Sequence, residues 1–157
     1  MYNSLVLNSL NTLLPFLNSL NQNWCLVGST SLILHGLENK SEEIDIVTDL
    51  EGSKKLEKLL EKFKIKPTRM IHNDHYDSAI TEYYIDGTHI SILGDLKLKV
   101  AEGWVRILEI IRNKEIFDFN GYKVFIPSLS DQVKILRLGG RKKDMVQAEK
   151  ILSFLKE

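Results

Sequence analysis

The chain has 157 residues, about the length of one ordinary domain, and carries 21 basic and 21 acidic residues. This balance excludes a global electrostatic attraction to nucleic acid or to an anionic membrane, so any such contact would need a local patch. No stretch approaches the roughly 20 apolar residues of a membrane-spanning helix, and the N-terminus lacks a positively charged secretory leader. We therefore expect a single domain over residues 1–157, located in the cytoplasm.

The first predicted element is an amphipathic helix over residues 3–21. Its leucines recur mostly at steps of three and four residues among asparagines and serines, the spacing of a single apolar helical face. Pro15 removes a backbone donor inside this segment, so the helix either kinks there or consists of two shorter helices. We expect the leucine face to pack on the domain's own sheet.

A strand, a turn, a helix and a second strand are predicted next. Residues 24–27 form a short apolar run that ends at Gly28-Ser29, and the apolar residues after this turn recur at helical spacing. In the second strand the residue types alternate, so Glu43 and Asp45 lie on one face and the isoleucines on the other. Two neighbouring acids repel each other unless a cation lies between them, which makes this pair a candidate metal site.

The first of these strands also contains Cys25, the only cysteine of the chain. A single cysteine cannot form an intramolecular disulfide, and its position in an apolar strand fits a reducing compartment. We interpret Cys25 as a buried thiol that fills the core.

The middle of the chain predicts a helix followed by strand-like sequence. Residues 52–64 have one apolar helical face and a solvated face of lysines, and Ser53 is the expected N-cap. Residues 65–70 are expected to begin a strand. The polar segment 71–77 is expected to be a loop or a strand edge.

Two hairpins are predicted in the second half of the chain. The first joins residues 78–85 and 88–93 through an Asp-Gly turn, and the second joins residues 115–119 and 122–126 through an Asn-Gly turn. Between them a Gly-Asp pair is expected to end the strand. Helical spacing of the following apolar residues predicts a helix over residues 96–111.

Two further helices are predicted at the C-terminal end. Ser128, which follows a proline, is the expected cap of a helix that ends at a Gly-Gly pair. The last helix is expected over residues 141–155. Together with the strands, these helices predict an α/β fold of the α+β type, in which helices flank a mixed sheet.

The glycine-serine turn at Gly28 and Ser29 precedes a helix, where unpaired backbone N–H groups can bind a phosphate. It matches neither the P-loop nor the dinucleotide-binding pattern, and a glycine-serine turn alone is more often structural. The acid pair about fifteen residues later makes the signal more specific. Phosphate donors and metal ligands would then meet at adjacent strand ends.

These motifs resemble the signature of the DNA polymerase β-type nucleotidyltransferase superfamily: a glycine followed by Gly or Ser, then an acid, an apolar residue and a second acid. More closely, the chain is similar to small stand-alone nucleotidyltransferase-like proteins of bacteria and archaea, which include toxin- and antitoxin-type members and aminoglycoside-modifying relatives. The resemblance covers roughly residues 20 to 150. Its further motifs are His35-Gly36, the segment from Asp86 to Asp95, Ile126-Pro127-Ser128 and the segment from Arg141 to Asp144.

The resemblance implies a nucleotidyltransferase-like fold and Mg²⁺-dependent transfer of a nucleoside monophosphate from a nucleoside triphosphate to an acceptor hydroxyl. In such a site three carboxylates hold two Mg²⁺ ions. Glu43 and Asp45 match the first two acids, although the first is usually an aspartate. Gly28 and Ser29 would hold triphosphate oxygens, and Lys143 would contact a phosphate.

The third acid of the family pattern is missing, since Ser91 occupies its position on the later strand. Asp95 lies on the same strand face but roughly 13 Å farther along, too far to substitute. His89 is roughly 7 Å away and is either an ordinary structural residue or a base or soft ligand. Glu82 would approach only if the hairpin register places it opposite Ser91, which the sequence does not fix.

Two other polar clusters have competing interpretations. One cluster, a possible metal set, consists of His72, Asp74 and His75. Their spacing matches no known ligand pattern, so a solvated loop is favoured. His75 is the member that could lie over the acid pair. The basic residues 141–143 stand at a helix start, where positive charge is unfavourable for the helix dipole. They are interpreted either as a phosphate contact or as a solvated turn.

Two functional hypotheses follow. As an enzyme, the protein would transfer a nucleotide to a small molecule, an RNA end or a protein hydroxyl, with Ser91, His89 or an unidentified acid completing the site. As a non-catalytic module, it would bind a nucleotide or a partner protein without turnover. The missing carboxylate favours nucleotide binding over catalysis, because two acids retain one metal–nucleotide complex while a second ion loses its charge balance.

Overall fold

A computed structural model describes residues 2–38 and 40–156 of the chain. Its secondary structure confirms the predicted α+β fold with a mixed sheet. The elements in chain order are α1 (Tyr2–Asn18), β1 (Trp24–Val27), α2 (Ser29–Leu34), β2 (Glu43–Thr48), α3 (Leu50–Leu59), a short 3-10 turn (Glu61–Phe63), β3 (Lys64–His72), β4 (Tyr76–Ile85), β5 (Thr88–Val100), β6 (Gly103–Arg106), α4 (Ile107–Ile110), β7 (Lys114–Phe119), β8 (Tyr122–Pro127), α5 (Leu129–Gly139) and α6 (Lys142–Leu155).

The main sheet has the strand order β1-β2-β5-β4-β3, and β6 pairs with the end of β5. Strands β2 and β5 are parallel, whereas the other neighbours in this sheet are antiparallel. Strands β7 and β8 form a separate antiparallel hairpin, as predicted. The parallel pair lies at the centre of the sheet, so side chains from β1, β2, β5 and β4 meet across it.

One face of the sheet is packed against α1 and α3. The isoleucines of β2 and β5 that alternate with the polar residues are fully buried there, together with the leucines of α1. This confirms the predicted packing of the leucine face. Pro15 lies inside a single helix, so the interpretation as two shorter helices is wrong. Leu14 and Leu17, on either side of Pro15, are fully buried, and this packing compensates for the lost backbone hydrogen bond.

The cap predicted for α3 is wrong by one turn. Asp49, not Ser53, is the N-cap, and its carboxylate accepts a hydrogen bond from the Gly52 amide at 2.7 Å. Ser53 is instead buried against β5, where a Cβ added to Gly94 would lie 3.0 Å from the Ser53 Cβ. The helix therefore starts earlier than the sequence indicated, with an aspartate in the usual capping role.

The helix predicted over residues 96–111 is also wrong. Strand β5 runs past Gly94-Asp95 to Val100 and turns back into β6, so that only the short α4 is helical. Asp95 has a φ of 54°, and a register shift in β4 lies opposite this region, which lets the strand bend and continue. The alternating apolar residues of this segment fit a strand period as well as a helical one.

The opposite sheet face carries a second apolar cluster that includes Cys25, Val47 and Ile107. Cys25 is fully buried, and burial raises the pKa of its thiol to about 12. This confirms its interpretation as a core thiol.

The C-terminal helices follow the prediction closely. Ser128 caps α5 by accepting a hydrogen bond from the Asp131 amide, and Gly140 ends the helix in the left-handed conformation with a φ of 66°. Helices α5 and α6 pack with α2 in a separate apolar cluster. Within the described residues, no helix combines the length and apolarity that crossing a membrane requires.

Candidate active site

The turn between β1 and α2 lies directly against the acid strand. Gly28 has a φ of 77°, a left-handed conformation that glycine adopts without strain. A Cβ at this position would also lie 3.1 Å from the Asp45 Oδ2. Glycine is therefore required here both by the backbone conformation and by the close approach of a carboxylate.

Replacing Gly28 by alanine tests both requirements. We expect Gly28→Ala to lower the free energy of unfolding by about 1–2 kcal/mol from the backbone strain, with a further loss from the contact with Asp45. Gly36→Ala is the matched control, because Gly36 has a φ of 82° and no atom within 4 Å of an added Cβ. Urea unfolding of the two variants separates the cost of backbone strain from the cost of the contact with Asp45. Equal losses in the free energy of unfolding would show that the contact with Asp45 contributes nothing.

Hydrogen bonds also connect the turn to the start of β2. The hydroxyls of Ser29 and Ser41 lie 2.6 Å apart, and the Ser41 hydroxyl donates to the backbone carbonyl of Glu43 at 3.0 Å. Thr30 donates to the same carbonyl at 2.7 Å. The glycine-serine turn and the acid strand are thus held in a fixed relation. Ser41 is not predicted as a site residue from the sequence, because it lies in a charged loop without a recognisable motif.

The two acids of β2 project from the sheet face opposite the buried isoleucines. Glu43 is exposed, whereas Asp45 is half-buried. Burial, helped by the negative charge of Glu43, raises the pKa of the Asp45 carboxyl from 3.8 to about 6, while His89 opposes this shift. A cation bound at the two acids would offset both the burial of the Asp45 charge and its repulsion by Glu43, so this arrangement favours cation binding.

The strand register brings a further acid to the site. Asp45 on β2 pairs with Ser91 on β5, and Ser91 pairs on its other side with Glu82 on β4. Ser91 and Glu82 are both buried. The three residues form one row across adjacent strands, with the serine between two carboxylates.

Glu82 is held by basic partners. Its carboxylate accepts a hydrogen bond from Arg69 at 2.6 Å and contacts the His89 Nε2 at 2.7 Å. Burial would raise the pKa of the Glu82 carboxyl, but the hydrogen bonds from Arg69 and His89 and the charges of Lys66 and Arg69 outweigh burial and lower it. Arg69 is not predicted from the sequence, where its only signal is a basic residue in the segment before the hairpin.

The chain is similar to known proteins in both sequence and structure. A family model described as aminoglycoside-2''-adenylyltransferase matches residues 9–151. The chain belongs to this family. The match confirms the resemblance to nucleotidyltransferases that the glycine-serine turn and the acid pair indicated.

Solved structures support the same conclusion. A protein from Thermotoga maritima assigned as a nucleotidyltransferase is 27% identical, with a TM-score of 0.80 over 99% of this chain and 96% of that one. A nucleotidyltransferase-like antigen from Paracoccidioides brasiliensis (13% identity, TM-score 0.52, 98% and 76% covered) and ANT(2'')-Ia in complex with adenylyl-2''-tobramycin (13%, 0.53, 96% and 89%) share the fold. No curated protein sequence matches the chain significantly.

In this nucleotidyltransferase-like chain, the described residues contain no group of three or more His, Cys, Asp or Glu side chains arranged to hold a metal ion. The donor set at the site is the pair Glu43 and Asp45. Mg²⁺ prefers oxygen ligands and is commonly bound by one or two carboxylates together with substrate phosphates. The pair therefore fits magnesium that shares its coordination with a triphosphate.

The other candidate ligands have different surroundings. Asp95 forms ion pairs with Lys97 at 3.4 Å and Arg106 at 3.2 Å. His72 ends β3 and contacts its cross-strand neighbour Asp77 on β4 at 3.1 Å, so the segment 71–77 is the end of a hairpin and not a polar loop throughout. His75 lies in the turn after β3 and lines a separate cavity beside Arg141. Neither Glu43 nor Asp45 lines that cavity.

The basic start of α6 is partly explained by local pairing. Arg141 donates to the Asp144 carboxylate at 2.8 and 3.0 Å in a capping arrangement, which offsets the unfavourable position of its charge at a helix N-terminus. Lys143 is exposed. One turn farther along α6, Gln147 lines a cavity of 190 Å³ with Gly28 and Ser29. Residues four apart share a helical face, so Lys143 is on the same side of α6 as Gln147, but Lys143 does not itself line this cavity.

Proposed function

We propose that the protein binds a nucleoside triphosphate with Mg²⁺ and transfers a nucleoside monophosphate to an acceptor hydroxyl. Family membership supports nucleotidyl transfer in general. The observation that carries the specific proposal is the contact between the turn and the acid pair, in which the Asp45 carboxylate lies against Gly28. Phosphate donors and metal ligands are thereby adjacent.

In this proposal each group has one role. Backbone N–H groups at Gly28 and Ser29 bind triphosphate oxygens, and Lys143 adds positive charge from α6. Glu43 and Asp45 hold the magnesium, whose bound form supplies positive charge to the reacting phosphate. The repulsion between the two acids and the burial of Asp45 favour the binding of a cation.

The first test is thermal stabilisation by Mg²⁺ with each of the four nucleoside triphosphates. Ligand at about 100 times its Kd stabilises a protein by about 2.7 kcal/mol, so we expect a rise in Tm of about 5 °C or more for the preferred nucleotide. The rise should disappear in Asp45→Ala. Glu102→Gln is the matched control, because it removes an exposed carboxylate in the turn between β5 and β6. No rise in the wild type with any triphosphate would overturn the proposal.

The second candidate function is a nucleotide- or partner-binding module without turnover. The serine at position 91, where the family pattern has a carboxylate, favours it. Transfer of label from an α-labelled triphosphate to an acceptor distinguishes the two. The acceptors to be tested first are small hydroxyl compounds such as tobramycin, since one structural neighbour was solved in complex with adenylyl-2''-tobramycin. Binding without transfer to any acceptor class would support the module.

A further inference from the structure

The absence of a carboxylate at Ser91 leaves the proposed reaction without its usual base, and a histidine lies beside that position. His89 is two residues before Ser91 on β5 and pairs with Glu43 on β2. Its side chain is about one-third exposed and lines an open cavity of 460 Å³ with Glu42, Tyr84 and Thr88. The cavity is also lined by Ser41, just before β2, and by Leu5 and Val6 of α1, so an acceptor in it would be next to the histidine and to the residues that lead into the acid strand.

Glu82 determines which nitrogen of His89 is available. The Glu82 carboxylate lies 2.7 Å from Nε2, and it is surrounded by positive charge that keeps it ionised. An ionised carboxylate only accepts hydrogen bonds, so Nε2 must carry the proton that it donates. In the neutral imidazole the other nitrogen, Nδ1, then has a free lone pair. Within residues 2–38 and 40–156, Nδ1 has no hydrogen-bond partner.

The orientation of Glu82 is itself fixed. Arg69 binds its second oxygen, Oε2, at 2.6 Å, while Oε1 contacts His89. The strand register places Glu82 opposite Ser91, and the residue is buried in the sheet face. A carboxylate anchored at both oxygens holds the imidazole in one position and one tautomer.

We propose that His89 is the base of the transfer reaction and that Glu82 is its positioning residue, together replacing the missing third carboxylate. The inference rests on the proposed function. In the step, the acceptor oxygen forms a bond to the α-phosphorus while the bond from that phosphorus to the β-bridging oxygen breaks. Pyrophosphate leaves with the electron pair. The acceptor proton passes to the His89 Nδ1 and from the imidazolium to solvent.

The test compares turnover and binding in variants of the full chain. The probe is α-labelled ATP with Mg²⁺ and a high concentration of glycerol as acceptor, with both glyceryl-AMP and AMP counted as products. His89→Gln keeps an N–H that can reach Glu82 but has no basic nitrogen. We expect it to lower kcat by about 100-fold and to leave the Kd for Mg·ATP within about twofold, since general base catalysis contributes factors of this order.

Glu82→Gln and Arg69→Gln separate positioning from structure. Both disrupt the same ionic network, so a purely structural role would affect them alike. We expect Glu82→Gln to lower kcat about tenfold without changing the Kd for Mg·ATP, and Arg69→Gln to have a smaller effect. Long-range ¹H–¹⁵N correlation of the histidine ring should also show the Nε2–H tautomer of His89 in the wild type and a mixture in Glu82→Gln.

Several results would overturn the proposal. One is a His89→Gln variant that retains more than a third of the wild-type kcat, and another is an Nδ1–H tautomer in the wild type. Binding of Mg·ATP without formation of glyceryl-AMP or AMP would also overturn it, because a positioned base should activate water or glycerol. A wild-type protein that shows no thermal shift with Mg²⁺ and any of the four nucleoside triphosphates would instead refute the proposed function, and this inference with it.

Discussion

Asp45→Asn is expected to stabilise the metal-free protein at neutral pH. In the folded state burial and the charge of Glu43 raise the pKa of the Asp45 carboxyl from 3.8 to about 6. At pH 7 the carboxylate is ionised in both the folded and the unfolded state, and only the folded state pays for burying the charge. A change in pKa of this size corresponds to about 3 kcal/mol as an upper bound, and the asparagine variant avoids that cost.

The stability difference between Asp45→Asn and the wild type should depend on pH. Between pH 6 and pH 4 the folded protein takes up a proton at Asp45 that the unfolded chain does not, so the contribution of Asp45 to wild-type stability rises as the pH falls through this window. As the pH falls below 3.8 the carboxyl becomes neutral in the unfolded chain as well, and the advantage of Asp45→Asn should shrink toward zero. Urea unfolding of both proteins in EDTA at pH 7.5, 5 and 4 measures the difference. A constant difference, or a less stable variant at pH 7.5, would contradict the prediction.

The same substitution separates stability from function at one residue. A variant that is more stable without ligand should lose the stabilisation by Mg·nucleotide, because asparagine is a neutral and weaker metal ligand. This combination is typical of residues whose surroundings are arranged for binding at the expense of folding. Loss of ligand response in a more stable protein also excludes misfolding as its cause.

Local sequence patterns were enough to predict half of the candidate site. Gly28, Ser29, Glu43 and Asp45 lie in a strand, turn, helix and strand that follow one another, and each element has a clear period or turn signal. Strand alternation alone places the two acids on one face. Their closeness to Gly28 then follows from the pairing of adjacent strands, which the structure gives as Val27 with Asp45.

The other half depends on contacts between distant residues. The position of Glu82 beside Ser91 requires the register of β4 against β5, and a shift of one residue would have turned Glu82 to the opposite face. The partner Arg69 comes from a third strand, with an irregular register of its own. Sequence spacing carries no information about such pairings, so the sequence leaves the approach of Glu82 to Ser91 open and does not predict the His89–Glu82 contact.

The wrong helix prediction has a different cause. The apolar residues of the segment 96–111 satisfy helical and strand spacing at once, so periodicity cannot distinguish the two. Leu96 and Leu98 pack against the cluster around Cys25, and β6 supplies a pairing partner for the end of β5. Tertiary packing and pairing decided the structure of this segment, as they commonly do where local preferences are balanced.

Restoring the missing carboxylate with Ser91→Asp should have two opposite effects. Ser91 is buried between Asp45 and Glu82, so a third negative charge there repels both neighbours and loses hydration. We expect the metal-free variant to be about 2–4 kcal/mol less stable at pH 7.5 than Ser91→Asn, which has nearly the same shape without the charge. Mg·ATP should recover much of this loss, because the added carboxylate supplies a further ligand.

Urea unfolding with and without Mg·ATP measures both effects, and equal stability of the two variants, or an equal response to Mg·ATP, would contradict the prediction.

The same variant also tests the role of His89. If the histidine supplies the base that a third carboxylate otherwise supplies, His89→Gln should cost less turnover in Ser91→Asp than in the wild type, because the new carboxylate offers a second proton acceptor. Identical losses in both backgrounds would mean that the two groups act independently.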